Sequence, residues 1–178
     1  MPFFIKIMEE KMRVAVIMGS ASDLGKVEPA ITILKEYGVN VDVRALSAHR
    51  AHKDLANFID EANNNGTEVI IAAAGMAAAL PGVVASMTVI PVIGVPISGA
   101  TLDGMDALLS IVQMPSGIPV ATVAINGGMN AGLLAAKILA TSDSELLEKL
   151  KKYSEGMKDA VVAKAEKLEK VGHKNYAN

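Results

Sequence analysis

Val14-Ala15-Val16-Ile17-Met18-Gly19-Ser20-Ala21-Ser22-Asp23-Leu24 is the stretch whose reading decides the fold. Five consecutive apolar residues with no polar alternation describe a strand covered on both faces, the habit of a parallel sheet. Gly19 ends the run and permits a tight turn. Beyond it Leu24, Val27, Ile31 and Leu34 recur at helical spacing, and Gly38 closes that helix. Pro29 lies inside it, removes one backbone bond and predicts a kink or a delayed start.

The same strand, turn and helix recur along the chain. Residues 41–46, 68–74, 91–95 and 120–125 read as further strands. Residues 53–64, 77–86, 101–112 and 130–139 read as the helices that follow them. Five strands each followed by a helix predict an α/β fold with helices on both faces of the sheet. Right-handed crossovers and this length favour a flavodoxin-like three-layer sandwich around a five-stranded parallel sheet. An eight-fold barrel needs more chain. After residue 143 the character changes to a lysine-rich amphipathic helix over 144–171. Its Leu146, Leu150, Tyr153, Met157, Val161, Ala165 and Leu168 form one apolar stripe. That stripe packs either on its own domain or on a neighbouring subunit. The expected organisation is an N-terminal extension over 1–12, an α/β domain over 13–141 and an extended C-terminal helix over 142–178.

Composition narrows the function. The chain has 178 residues, of which 51% are hydrophobic, 20% charged and 3% aromatic, so a folded core of Ala, Val, Ile, Leu and Met is expected rather than disorder. A net charge of −2 provides no basic field for a nucleic-acid backbone. The absence of cysteine excludes disulfides, thiolate catalysis and cysteine-based metal sites. Between residues 70 and 136 the only charged side chains are Asp103 and Asp106. Such a stretch is either a membrane segment or a surface that other subunits cover. Gly75, Pro81, Gly82, Pro91, Gly94, Pro96 and Gly99 break it too often for a lipid-exposed helix. The apolar start of the chain is interrupted by Lys6 and followed by Glu9 and Glu10, unlike a signal peptide. A cytoplasmic protein is expected, without membrane or nucleic-acid partners.

In doubly wound sheets ligands bind beyond the carboxyl ends of the strands, so chemistry is sought there. After the first strand, Ser20, Ser22 and Asp23 offer oxygens beside free helix N–H groups, an arrangement suited to phosphate. Asp23 could accept from sugar hydroxyls instead, and Ser22 or Asp23 could simply cap the helix. After the second strand comes Ser47-Ala48-His49-Arg50, an imidazole for proton transfer beside a planar fork for phosphate. After the third, Ala74, Gly75, Ala79 and Leu80 belong to a run of small residues that lets a flat ligand approach the backbone, or lets a helix pack closely. After the fourth and fifth, Ser98, Thr101, Asp103, Asn126 and Asn130 could close a pocket. His52 and His173 are scattered and form no metal-ligand spacing.

Five motifs occur in order: Gly19-Ser20-Ala21-Ser22-Asp23, Ser47-Ala48-His49-Arg50, the run from Ala74 to Leu80-Pro81-Gly82, Gly94-Val95-Pro96, and Ser110-Ile111-Val112-Gln113-Met114-Pro115 with Gly117-Ile118-Pro119-Val120. Over about residues 14–139 this set resembles the bacterial-type N5-carboxyaminoimidazole ribonucleotide mutases of purine biosynthesis, the PurE family. The resemblance implies transfer of a carboxylate from nitrogen to ring carbon through CO2, without metal or organic cofactor. It implies His49 as acid and base, Arg50 and Ser20 on the 5′-phosphate and Asp23 on the ribose. It implies Ser22 and Ser47 supporting that cradle, with Ala74, Gly75, Ala79 and Leu80 flanking base and CO2. It further implies a homo-octamer with active sites at subunit junctions.

The chain departs from the family pattern at three places. Ala79 stands where the family has histidine, Met76 where it usually has glycine, and Ala51-His52 where Thr-Pro usually follows. Related enzymes that carboxylate aminoimidazole ribonucleotide directly with CO2 also carry a small residue at the Ala79 position. They pair it with lysine in place of Arg50 and lack Leu80-Pro81-Gly82, so direct carboxylation is the second reading. A non-catalytic nucleotide-binding module is the third. A receiver domain is disfavoured because Gly19-Ser20 and Ala74-Gly75 stand where it needs aspartates. A flavin carrier is disfavoured because no aromatic residue occurs between Phe58 and Tyr153.

Overall fold

The computed structural model describes residues 12–173, 175 and 176. Apart from Met12, the expected N-terminal extension lies outside the described residues. Contacts divide the chain into two compact units, Met1–Leu139 and Ala140–Asn178.

The first unit is built on five parallel strands in the order β2-β1-β3-β4-β5. They are β1 (Arg13–Met18), β2 (Asn40–Ala45), β3 (Thr67–Gly75), β4 (Val92–Ile97) and β5 (Ala121–Thr122). The helices between and after them are α1 (Leu24–Glu36), α2 (His52–Asn64), α3 (Leu80–Ala85), α4 (Met105–Val112) and α5 (Gly128–Leu139). This is the flavodoxin-like order. The central strands β1, β3 and β4 are buried almost throughout, which is why their sequences lack alternation.

On one face Ala15, Ile17, Ile70 and Ala72 of the sheet pack with Leu55, Phe58 and Ile59 of α2, Leu80 and Val84 of α3, and Ile111 of α4. On the other face α1 and α5 lie against each other and the sheet. Gly132 makes that approach possible, since a Cβ there would fall 2.8 Å from the Ala30 Cα of α1. α1 runs through Pro29 as a continuous helix after one 3-10 turn at Ala21–Asp23. The proline forgoes one bond, to the Gly25 carbonyl.

Three elements are shorter than the sequence predicts. α3 begins at Leu80 and α4 at Met105, because left-handed residues precede each: Met76 (φ 56°) before α3, and Asp103 (φ 51°) with Gly104 (φ 93°) before α4. β5 keeps only two paired residues. The Gly94 and Pro96 carbonyls of β4 accept from Val123 and Asn126 of the fifth segment, so Pro96 faces β5 with no N–H to donate.

The second unit contains α6 (Ser144–Val171). Asp143 caps it, its carboxylate accepting from the Leu146 N–H at 2.7 Å. Glu145–Lys149 and Glu148–Lys151 pairs brace its first turns. Gly172, with φ 74°, ends it. Among the described residues no helix is long and apolar enough to cross a membrane.

Candidate active site

The order of the sheet makes β1 and β3 neighbours whose outgoing connections run to opposite sides, which opens a crevice at their carboxyl ends. Two backbone bonds fix its rim. The Gly19 N–H donates to the Ala73 carbonyl (3.0 Å), tying β1 to β3, and the Leu46 N–H donates to the Met18 carbonyl (2.9 Å), tying β2 to β1. A cavity of about 540 Å³ lies there, lined by the loops after β1, β2, β3 and β4.

In the first loop Ser20 is the capping residue. Its Oγ accepts from the Ser22 N–H at 3.3 Å and from the Ser22 hydroxyl at 2.8 Å. Asp23 stands at the N-cap position of α1 but its side chain caps nothing. Its carboxylate is left facing the cavity. Burial raises its pKa above the ordinary value, opposed by hydrogen bonds from the Ser22 side chain and the Ser20 backbone.

In the second loop the Ser47 carbonyl accepts from the N–H groups of Arg50 (3.2 Å) and Ala51 (2.8 Å), closing a turn that presents His49 and Arg50 outward. Both side chains are exposed. Arg50 Nε reaches Ser47 Oγ at 3.5 Å. An exposed guanidinium with spare donors beside an open imidazole is arranged to meet an anion and a proton-bearing group at once.

The third loop is a succession of tight bends. Ala78 N–H donates to the Met76 carbonyl and Ala79 N–H to the Ala77 carbonyl. The Gly75 backbone passes so near β4 that a Cβ there would fall 3.1 Å from the Ile97 carbonyl oxygen. The fourth wall is Ile97, Ser98 and Gly99. Met76, Asp103 and Asn126 are the non-glycine residues with positive φ among the described residues, one in each loop after β3, β4 and β5. Such strain is held only where surrounding structure over-determines it, commonly beside a binding site.

The cavity lining includes Ser20, Ser22, Asp23, Ser47, His49, Arg50, Ala74, Gly75, Ala79 and Leu80, all the residues expected to hold or act on a ligand; of the residues expected to close the pocket it includes Ser98 but not Thr101, Asp103, Asn126 or Asn130. His52 opens α2 and is not part of the lining. His173 follows the end of α6. Sequence reasoning singled out the loop after β4 but assigned no role to Ile97 or Gly99. Their signal was present in the Pro96-to-Gly99 sequence at a strand end. Among the described residues no group of three or more His, Asp or Glu side chains is placed to hold a metal ion.

Comparison with known proteins gives a consistent set of matches. The family model described as AIR carboxylase matches residues 13–160. A Thermotoga maritima protein named N5-carboxyaminoimidazole ribonucleotide mutase is 52% identical over 166 residues, 93% of this chain and 97% of that protein. One of the same name from Pyrococcus horikoshii is 51% identical and covers 97% of both chains. A Schizosaccharomyces pombe phosphoribosylaminoimidazole carboxylase is 54% identical over 92% of this chain, which corresponds to 30% of that protein. The crystal structure of Treponema denticola PurE superposes with a TM-score of 0.82 at 31% identity, over 89% of this chain and 99% of that one.

Proposed function

The chain belongs to the AIR carboxylase family, and from that premise we propose that it converts N5-carboxyaminoimidazole ribonucleotide to 4-carboxy-5-aminoimidazole ribonucleotide in purine biosynthesis. The observation that carries the reading is the single cavity lined by one imidazole, one guanidinium, the serine and aspartate oxygens of the first loop and a wall of small residues. Similarity spanning both chains almost completely supports the mutase. The protein named as a carboxylase is matched over less than a third of its length.

The chemistry follows from the lining. Arg50 and Ser20 hold the 5′-phosphate, with Ser22 and Ser47 bracing them, and Asp23 accepts from the ribose hydroxyls. His49 as imidazolium gives its proton to the exocyclic nitrogen as the carbamate C–N bond breaks and releases CO2. The electron-rich ring then attacks that CO2 through C4, forming the new C–C bond. Neutral His49 takes the proton from C4 and returns to its starting state, so the step is an isomerisation with no net proton change. Ala74, Gly75, Ala79 and Leu80 flank base and CO2, and the small side chains of the first three let the wall close on the ring and keep the gas against it until it is captured. No organic cofactor or metal enters this balance.

The protein works in the cytoplasm as a homo-octamer, with α6 packing within the assembly. Support for the assembly comes from the large apolar side chains left exposed between residues 87 and 129, among them Val89, Leu102, Met105, Leu109 and Val112.

The test supplies purified protein with either the carbamate or aminoimidazole ribonucleotide plus bicarbonate. Turnover of the carbamate is expected. Turnover only with aminoimidazole ribonucleotide and bicarbonate would make the protein a direct carboxylase, and ligand binding without turnover of either would make it a binding module.

A further inference from the structure

Asn126 lies outside the cavity and takes no part in the chemistry above, yet it is held in the left-handed region at φ 58°. Asparagine adopts that conformation more readily than most residues, at a cost that glycine would avoid. The side chain explains why a glycine does not serve. Its Oδ1 accepts from the Ser98 N–H at 3.1 Å, and its Nδ2 donates to Ser98 Oγ at 2.9 Å. Its own N–H donates to the Pro96 carbonyl at 2.8 Å. One residue therefore grips the chain on both sides of Ile97.

Ser98 is also wedged from behind. Gly104 lies so close that a Cβ there would fall 3.0 Å from the Ser98 Cα. In front, the segment faces the third loop, where the Ile97 carbonyl presses on Gly75 and Gly99 lies beside the Met76 side chain. Ile97, Ser98 and Gly99 make one wall of the cavity, and β5 is too short to hold that wall by strand pairing. The Asn126 amide does what a longer β5 ladder would otherwise do.

We propose that Asn126 is a positioning residue: through Ser98 it fixes the Ile97-Ser98-Gly99 wall against Gly75 and Met76, and so keeps CO2 inside the site between release and recapture. This rests on the carboxylate-transfer reading above. The loss it prevents is specific. If CO2 escapes after the carbamate C–N bond breaks and nitrogen is protonated, aminoimidazole ribonucleotide is left behind and no C–C bond forms.

The test uses carbamate substrate labelled with ¹⁴C in the carboxylate, unlabelled bicarbonate in the medium, and a no-enzyme control subtracted. Wild type, Asn126→Gly, Asn126→Asp and Ser98→Ala are compared for rate, for label retained in product and for aminoimidazole ribonucleotide formed. Asn126→Gly suits the backbone conformation, and the strain it relieves offsets the two lost hydrogen bonds, so its circular dichroism should match wild type and its melting temperature should fall by no more than a few degrees. It should nevertheless lose label at least about fivefold more often and lower kcat/KM about tenfold, within the range a small misplacement costs. Asn126→Asp keeps the acceptor for the Ser98 N–H and should recover part of the retention. Ser98→Ala removes only the hydroxyl contact and should lie between wild type and Asn126→Gly. Label retention and rate unchanged in Asn126→Gly and Ser98→Ala would overturn the proposal. So would a fall in rate without any rise in label loss. A wild type that turns over no carbamate would instead overturn the underlying reading.

Discussion

His49 carries the heaviest assignment of any single side chain. It is exposed at the tip of a turn whose backbone is closed by Ser47, so replacing it should disturb neither the turn nor the core. His49→Asn is expected to lower kcat at least about 100-fold, the usual loss for a positioned acid–base group, while ribonucleotide affinity changes little. Activity within a few-fold of wild type would remove the proton-transfer role. Asp23 makes a second prediction. Its pKa is raised mainly by burial, so as pH falls the carboxylate is lost sooner than from an ordinary aspartate. Ribose hydroxyls donate to the charged form, so affinity for a dephosphorylated ribonucleoside analogue should weaken on the acid side, and Asp23→Asn should abolish that dependence. The stability sign is opposite: a carboxylate whose folded pKa exceeds its unfolded one opposes folding above that folded pKa, and the penalty is relieved as pH falls through it. Free Asp23→Asn should thus be no less stable than wild type at neutral pH, by denaturant titration. These residues were legible in sequence because strand ends, serine–aspartate turns and a histidine–arginine pair each announce a kind of chemistry. Asn126 was legible only as a polar loop residue; its pairing with Ser98 was not, because the two lie 28 positions apart and only the fold brings them together.

At the scale of elements, periodicity located every strand and α-helix and missed by three residues or more at three ends. Ala77, Ala78 and Ala79 have high helix propensity, and the sequence alone extends α3 back through them. The structure spends them on the bends that wall the cavity, and Met76 is forced to φ 56° to begin those bends. Local propensity lost to tertiary context here, as it lost at β5 to the missing N–H of Pro96. The Met76 side chain is 72% exposed, so it gains little from burial to offset its backbone cost. Left-handed geometry costs a non-glycine residue about 1–2 kcal/mol, and glycine adds about 0.5–1 kcal/mol of unfolded-state entropy. Met76→Gly should therefore raise stability by up to about 1 kcal/mol, read as a higher urea midpoint at unchanged slope. A lower midpoint would mean that the methionine packs in a way its exposure hides.

At the scale of the molecule, the charge-poor stretch from 70 to 136 has to be reconciled with a unit that buries only part of it. Its strands account for their share: β3 and β4 are buried almost completely. Its helices do not. Along α4, Ala107 and Ile111 face the core while Met105, Leu109 and Val112 are about half exposed, and Leu102 just before the helix extends the same apolar surface. A monomer has no reason to keep such a stripe free of charge, whereas a subunit interface does. A carboxylate placed in its middle would be stranded in the assembly, at a cost of several kcal/mol, and in a two-fold interface each contact would carry it twice. In a lone subunit the same substitution sits at a half-exposed position and leaves the fold intact. Leu109→Glu is therefore expected to keep the circular dichroism of wild type but to shift the mass measured by light scattering from an octamer of the 18.5 kDa chain to smaller species. Because the octamer reading puts the active sites at subunit junctions, carbamate turnover should fall with the mass and return at high protein concentration. A variant of unchanged mass would clear α4 of any part in assembly, and a dissociated variant with full turnover would show that each subunit carries a complete site.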